Sequence, residues 1–312
     1  MAIAKSAKIY VAGHQGLVGS AITARLEELG YKNLILKTRN ELDLIDSMMV
    51  DRFFQKEKPQ YVVLAAAKVG GILANSQFGA DFIYENLMIE ANVLKSAQIN
   101  KVKKLLFLGS SCIYPKMAPQ PIKEDYFLDG KLEETNKPYA VAKIAGITMC
   151  EAFNKQYKTN YISVMPTNLY GPRDNFDLNS SHVLPALIRK FHEAKVNKRP
   201  FVLVWGTGKP KREFLYIEDL ADACVFLLSN YDKTEFVNIG TGEDISIKKL
   251  ANTIKKVVGY KGEIKFDSSK PDGTPRKLLN VNRLHKLGWK AKTDLETGIT
   301  QTYKWFLDNW KN

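Results

Sequence analysis

The chain has 312 residues, 45% of them hydrophobic and 25% charged, the make-up of a globular protein with room for one large or two modest domains. No apolar run approaches the ~20 residues that span a bilayer, and Met1 to Ala12 leads into a strand pattern without an apolar region and cleavage site, so neither membrane nor signal peptide is expected. The net charge of +13 is spread along the chain without a basic run or nucleic-acid motif; it reads as a lysine-rich solvated surface that attracts phosphorylated small molecules, and no nucleic-acid partner is expected.

Strand patterns alternate with amphipathic helix patterns through the first half. Residues 8–12 read as a strand, 18–29 as a helix and 33–37 as a second strand. A helix follows over 47–57 with Asp46 as its cap. Residues 61–66 form a third strand, 78–98 a long helix and 105–109 a strand. A helix carrying Tyr139 and Lys143 runs toward Tyr157, and 161–166 is the next strand. This rhythm predicts an α/β fold with a Rossmann-like, doubly wound parallel sheet. After Thr167 the pattern loosens into a polar loop with Pro172, Asn175, Asn179 and Ser180. Helices over 183–193, 217–229 and 247–258 then alternate with strands over 202–205 and 235–239. Pro271, Gly273 and Pro275 precede a final helix that ends over 303–310. Residues 1–167 are therefore expected to bind a dinucleotide, with roughly 201–240 returning to that domain. Residues 168–312 are expected to form mainly a smaller, interleaved substrate domain.

Gly13, His14, Gln15, Gly16, Leu17, Val18 and Gly19 have the spacing G-x-x-G-x-x-G between the first strand and first helix. Glycines there permit a tight turn and close approach of backbone to a pyrophosphate seated on the helix N-terminus. His14 is read as positioning this loop. An acid about 20 residues past the glycines binds the ribose of NAD; here Arg39 stands at the end of strand two, and a guanidinium suits the 2′-phosphate of NADP. NADPH/NADP+ is the expected cofactor.

Ser110 follows the apolar run Leu105 to Leu108, at the carboxyl edge where open α/β sheets gather their reacting groups. Tyr139 and Lys143 are four residues apart, one turn along one helix face. A phenol near pKa 10 is a poor catalyst at neutral pH, and an adjacent ammonium is expected to lower it. Cys112 adds a thiol; taken alone it reads first as a buried apolar side chain, and its place two residues past the serine turns the reading toward chemistry. The three cysteines (Cys112, Cys150, Cys224) lack metal-ligand spacing, which predicts reduced thiols in a cytoplasm and no metal site. His192 and His285 read as surface residues.

The glycine loop, Tyr-x-x-x-Lys and upstream serine resemble the extended short-chain dehydrogenase/reductase superfamily. More specific blocks resemble its GDP-L-fucose synthase family: Ala65 to Ile72 (AAAKVGGI), Gly109 to Pro115 (GSSCIYP), Pro138 to Gly146, Met165 to Pro172 (MPTNLYGP), Ser181-His182-Val183 and Lys270 to Leu279 (KPDGTPRKLL). The likeness runs from about residue 8 to the C-terminus. It implies 3,5-epimerisation of GDP-4-keto-6-deoxy-D-mannose followed by NADPH-dependent reduction of C4, in one pocket. Epimerisation would fall to Cys112 and His182, a thiol and an imidazole that can be tuned toward neutral pH. Ser110 and Tyr139 would bond the C4 oxygen, Tyr139 would donate the proton, and Lys143 would also bond the nicotinamide ribose.

The likeness further implies that Leu108, Gly109, Ser110, Ser111, Lys143, Pro166, Thr167, Asn168, Leu169 and His182 line the cofactor. Asn168, Lys190, Trp205, Arg212, Asp272 and Lys277 would meet the GDP-sugar. A homodimer through a four-helix interface of residues 78–98 and 139–157 is also implied. Many relatives carry arginine where this chain has Gln15, so a weakened preference for NADPH is expected. The rival readings are a 4-epimerase or a 4,6-dehydratase, although a dehydratase would need a carboxylate near the serine where this chain has Cys112. A non-catalytic NADP-binding scaffold is a further alternative, though it need not keep Ser110, Tyr139 and Lys143 together.

Overall fold

The computed structural model describes residues 3–270 and 272–310. Met1, Ala2 and Pro271, drawn on above, lie outside the described residues, as does the side chain of Ile72. Ten strands and helices make up the first half: β1 (Ile9–Ala12), α1 (Leu17–Glu28), β2 (Leu34–Ile35), α2 (Ser47–Glu57), β3 (Tyr61–Leu64), α3 (Ile72–Gln77), α4 (Gly79–Ile99), β4 (Lys104–Leu108), α5 (Lys137–Tyr157) and β5 (Tyr161–Pro166). There follow β6 (Asn168–Tyr170), α6 (Val183–Val196), β7 (Phe201–Trp205), β8 (Lys211–Arg212), β9 (Phe214–Tyr216), α7 (Ile217–Asn230), β10 (Val237–Ile239) and β11 (Ile245–Ser246). The chain closes with α8 (Ile247–Val258), β12 (Glu263–Asp267), β13 (Arg276–Lys277), α9 (Asn282–Lys286) and α10 (Leu295–Asn309).

Six parallel strands form the central sheet in the order β10-β5-β4-β3-β1-β2, the doubly wound α/β arrangement expected from sequence. Both faces are covered, which is why its strands read as continuous apolar runs. Alternate residues serve opposite layers. Ile9, Val11, Leu106 and Ile162 pack with Ile22, Leu26 and Leu227 of α1 and α7. Tyr10, Leu105, Phe107 and Tyr161 pack with Phe54, Leu94 and Ile147 of α2, α4 and α5. Each such fully buried side chain contributes about 1.5–3 kcal/mol. The strand order reverses between β1 and β3, and their carboxyl ends frame a crevice.

A third core, with Leu187, Phe191, Leu250, Ile254 and Phe306, lies between α6, α8 and α10. Here β7 pairs with β12, and β11, β8 and β13 form a small sheet. Of the later segments, β10 joins the central sheet beside β5, while β7 does not. Asp46 caps α2 as expected, accepting from the N–H groups of Met48 and Met49 at 2.9 and 3.1 Å. The second strand is shorter than its apolar pattern because β2 sits at the sheet edge with only two residues in register with β1. The expected helix over 78–98 begins at Gly79 and is preceded by the separate short helix α3.

Candidate active site

The glycine loop turns on two positions that have no room for a side chain. Gly13 has φ +81°, and a Cβ there would lie 2.8 Å from Ala66 Cα at the end of β3. At Gly19 a Cβ would lie 2.2 Å from the Gly13 oxygen, so α1 can press against the loop only with glycine. Helix α1 starts at Leu17 behind an extended Gly16 with no capping side chain. Its first N–H groups and positive dipole end remain available to an anion, which fits a dinucleotide pyrophosphate. His14 Nδ1 is buried without a partner, and Gln15 is exposed. Arg39 is 69% exposed, with Nη2 3.5 Å from Glu85 Oε2. Lys68 Nζ sits 2.6 Å from the other oxygen of Glu85 and 3.3 Å from Asp81. Lys68 falls in the Ala65 to Ile72 block, whereas no motif singles out Glu85 in sequence.

Strand β4 ends at Leu108, and Gly109 donates to the Val164 carbonyl at 2.9 Å. A Cβ at Gly109 would lie 2.5 Å from Met165 Sδ. Ser110 then caps a short turn, accepting from the Cys112 N–H at 3.3 Å, with Ser111 buried within it. The serine hydroxyl neighbours both the Cys112 thiol and the Tyr139 phenol. Tyr139 meets Phe82 edge-on at 6.4 Å, and Lys143 Nζ lies 5.9 Å from the Tyr139 ring centroid.

The ammonium does not act on the phenol as expected. Lys143 pairs with Glu90 of α4 at 3.1 Å, and the two side chains are only 2% and 1% exposed. Burial pushes the Tyr139 phenol well up, and the charges of Cys112 and Glu90 add to this, against a hydrogen bond from Ser110. The thiol and imidazole are also moved apart rather than toward neutrality. Burial pushes Cys112 up, opposed first by Lys277, while enclosure and then Lys277 hold His182 below the usual imidazole range. One ammonium thus acts on both groups.

His182 is the N-cap residue of α6; it keeps an edge open to solvent while the surrounding protein crowds its ring. Its loop is tied to the Lys68 to Gly71 segment, since Gly71 N–H donates to the Ser180 carbonyl at 3.0 Å. A Cβ on Gly71 would lie 2.9 Å from the Ser181 oxygen, so this glycine brings the loops of the two halves together. Thr167 N–H donates to the Ile239 carbonyl at 3.0 Å, and Leu169 packs on the core beside the sheet, so Pro166 to Leu169 lie along its carboxyl edge. Asn168 donates its amide to the Glu213 carbonyl at 2.7 Å.

Glu213 is a buried hub that the sequence does not advertise. Its side-chain oxygens accept from Gly242 and Leu279 N–H at 2.7 and 2.9 Å. Its carbonyl also takes Thr167 Oγ1 at 3.3 Å, and its own N–H donates to the Lys277 carbonyl at 3.3 Å. Burial raises its carboxyl and these N–H donors oppose the rise. Strand β13 is thereby held in register with β8, Lys277 opposite Arg212, and same-face neighbours of this kind interact. Lys277 accordingly lies beside Cys112 and Arg212, and burial holds its ammonium below the ordinary range.

Trp205 is 59% exposed, with Lys190 and Lys270 ammoniums 5.2 and 5.7 Å from the ring centroid. Burial lowers Lys190 and Arg212. Asp272, expected at a ribose or sugar hydroxyl, is used internally: its two oxygens accept Thr207 N–H and Oγ1, each at 2.7 Å. His192 is half-buried against Phe306 with Nδ1 3.0 Å from Tyr303 Oη, and His285 is also half-buried, so neither is the surface residue expected.

Residues 9–240 match the NAD dependent epimerase/dehydratase family. The chain belongs to that family. Among its relatives, GDP-L-fucose synthase 1 of Arabidopsis thaliana is 60% identical over 305 residues, covering 98% of this chain and 94% of the relative. GDP-L-fucose synthase of Escherichia coli K12 is 56% identical over 311 residues, 97% of each chain. Among solved structures, a GDP-L-fucose synthetase from Naegleria fowleri bound to NADP is 30% identical, with a TM-score of 0.92 over 99% of this chain and 96% of that one. The Campylobacter jejuni GDP-mannoheptose C4 reductase MlghC, with NADP bound, is 43% identical, with a TM-score of 0.91 over 98% and 99%. Family membership accords with the parallel sheet, the glycine loop and the Tyr139–Lys143 helix described above.

Proposed function

We propose that this chain is a GDP-L-fucose synthase. It converts GDP-4-keto-6-deoxy-D-mannose to GDP-L-fucose by inverting C3 and C5 and then reducing C4. The observation that carries the reading is the cluster in which Ser110, Cys112, Tyr139, His182 and Lys277 influence one another, in a chain 56–60% identical to synthases of that name.

Carbons 3 and 5 flank the C4 ketone, so their protons are acidic. Inversion needs one group that takes a proton and another that gives one. At neutral pH Cys112 holds its proton and His182 lacks one. Passing that proton between them leaves a thiolate and an imidazolium, and either arrangement supplies one acid and one base. Lys277 steadies the thiolate form. Ser110 and Tyr139 donate hydrogen bonds to the C4 oxygen as negative charge gathers there. The raised phenol keeps Tyr139 protonated at rest, so it is ready to give its proton to that oxygen during reduction.

The uncapped N-terminus of α1 and the close-packed glycines fit NADPH, which when bound supplies hydride to C4. Arg39 would meet its 2′-phosphate, although it must leave Glu85 to do so. Lys190, Arg212 and Trp205 are suited to the diphosphate and base of the substrate. Residues 1–167 would carry the cofactor and 168–312 mainly the sugar, with α7 and β10 returning to the sheet. A half-exposed apolar strip along α4 and α5, with Phe78, Tyr84 and Val141, fits a four-helix homodimer. The three free, buried cysteines fit a reducing cytoplasm.

The test is to incubate the protein with GDP-4-keto-6-deoxy-D-mannose and NADPH and identify the sugar formed. GDP-L-fucose with stoichiometric NADPH loss supports the reading. A reduced but uninverted sugar would make the chain a C4 reductase, the activity named for MlghC.

A further inference from the structure

Helix α4 presents Phe82, Asn86, Glu90, Val93, Leu94 and Ala97 inward, at the spacing of one buried helix face. Glu90 is the only ionisable residue on that face. Its side chain is 1% exposed, and a carboxylate so placed is strongly unfavourable unless a charge compensates it. Lys143 is that charge, at 3.1 Å, and among the described residues no other donor serves either Glu90 oxygen. The neighbouring helix is shaped to admit the pair. A Cβ on Gly146, three residues past Lys143, would lie 2.7 Å from Glu90 Oε2 and 2.4 Å from the Phe107 ring. Phe107 closes the other side, with its centroid 4.8 Å from Lys143 Nζ. A buried ion pair is rarely a net source of stability, because a well-packed apolar pair of similar volume does as well or better. The arrangement therefore calls for a role beyond holding the two helices together.

We propose that Glu90 is a positioning residue for the ketone reduction: it holds Lys143 below Tyr139 and offsets the lysine's charge, so that the phenol stays protonated and the reaction keeps its acid to high pH. This rests on the synthase reading above. The groups facing Tyr139 are Glu90 from α4, Lys143 from α5, Ser110 and Cys112 from the turn after β4, and Lys277 from β13 acting through Cys112. Cys150 of α5 also feels the charge of Glu90. Burial raises the Glu90 carboxyl and Lys143 opposes the rise; ionised beside that lysine, Glu90 is the negative charge whose removal leaves the Lys143 field unopposed. The phenolate is then favoured and the phenol pKa falls. Since the phenol must be protonated to donate, activity is lost as pH rises through that pKa, and the alkaline limb must move to lower pH.

The experiment compares wild type and Glu90→Gln, both full length, following NADPH oxidation with GDP-4-keto-6-deoxy-D-mannose from pH 6 to about 12, so that the scan passes the ordinary phenol value, with deuterium entry at C3 and C5 measured at pH 7. The alkaline limb of kcat should fall by about one to two pH units while deuterium entry continues. A folded Glu90→Gln protein whose limb coincides with wild type overturns the proposal. If Glu90→Gln does not fold, Glu90→Asp, which draws the carboxylate back from the lysine, should shift the limb in the same direction by less. An unmoved limb there is equally fatal. A wild type that turns over no such ketone sinks the synthase reading instead. The proposal is then read from tyrosinate absorbance, each protein minus its own Tyr139→Phe variant: a lower midpoint without the carboxylate supports it, and equal midpoints overturn it.

Discussion

Replacing Gly19 by alanine tests how the cofactor loop is built. The new methyl carbon would stand 2.2 Å from the Gly13 oxygen, 2.6 Å from the Gly13 carbonyl carbon and 2.9 Å from His14 Cα. All three are backbone atoms, so no side chain can rotate away. Ordinary contact requires the loop to retreat from α1 by about 1 Å, and overpacking of this kind costs about 1–3 kcal/mol. That corresponds to a fall in Tm of about 2–10 °C. Because the displaced loop would carry the pyrophosphate, NADPH affinity should drop by a factor of about 5–150. Gly16→Ala is the internal control. Its methyl would meet only the Gly13 oxygen, at 3.5 Å, so Tm should hold while NADPH binding weakens through contact with the ligand itself. Differential scanning fluorimetry and NADPH fluorescence titration read the two effects separately. Unchanged Tm and affinity in Gly19→Ala would refute the argument that this contact shapes the loop.

Three further outcomes are expected. In D2O, Cys112→Ser should stop or greatly slow deuterium entry at C3 and C5, whereas Tyr139→Phe should cut reduction more than exchange; normal exchange in the cysteine variant contradicts its role. Gln15→Arg should lower KM for NADPH about tenfold by adding a second guanidinium near the 2′-phosphate, and Arg39→Ala should raise it, both with little change for NADH; equal effects on the two cofactors would count against the assignment. Asp222 joins Trp289 Nε1 at 2.9 Å, Arg25 at 2.7 Å and Lys292 at 3.4 Å, and although burial pushes its carboxyl up, these partners together hold it below the usual carboxylate range. A lowered carboxyl adds stability above its unfolded value near pH 4 and loses it as pH falls through the folded one, so Asp222→Asn should cost about 1–3 kcal/mol at pH 7 and much less near pH 2, as urea titration would reveal.

The sheet and its glycine loop were legible because long apolar runs and fixed glycine spacing are local properties of the chain. Ser110, Tyr139 and Lys143 were legible for the same reason, two of them sharing a helix face. Their electrostatics were not. Whether Lys143 acts on Tyr139 depends on Glu90, 53 residues earlier, and adjacency in sequence says nothing about a partner on the next helix. The clue was an ionisable side chain at an inward position of the helical period. The bonds that Asp272 makes to Thr207 cross 65 residues and have no signature in the sequence. Edge strand β2 fell short because strand length is set by a pairing partner, not by apolar content alone.

The ties around Glu213 bear on how the two lobes can move. A single enclosed carboxylate and its own backbone clasp residues from the sheet edge, from the loop after β10 and from the strand that bears Lys277. Swinging the smaller lobe outward as a rigid jaw would tear all of these at once. Access to the reacting groups should therefore not require the two lobes to part.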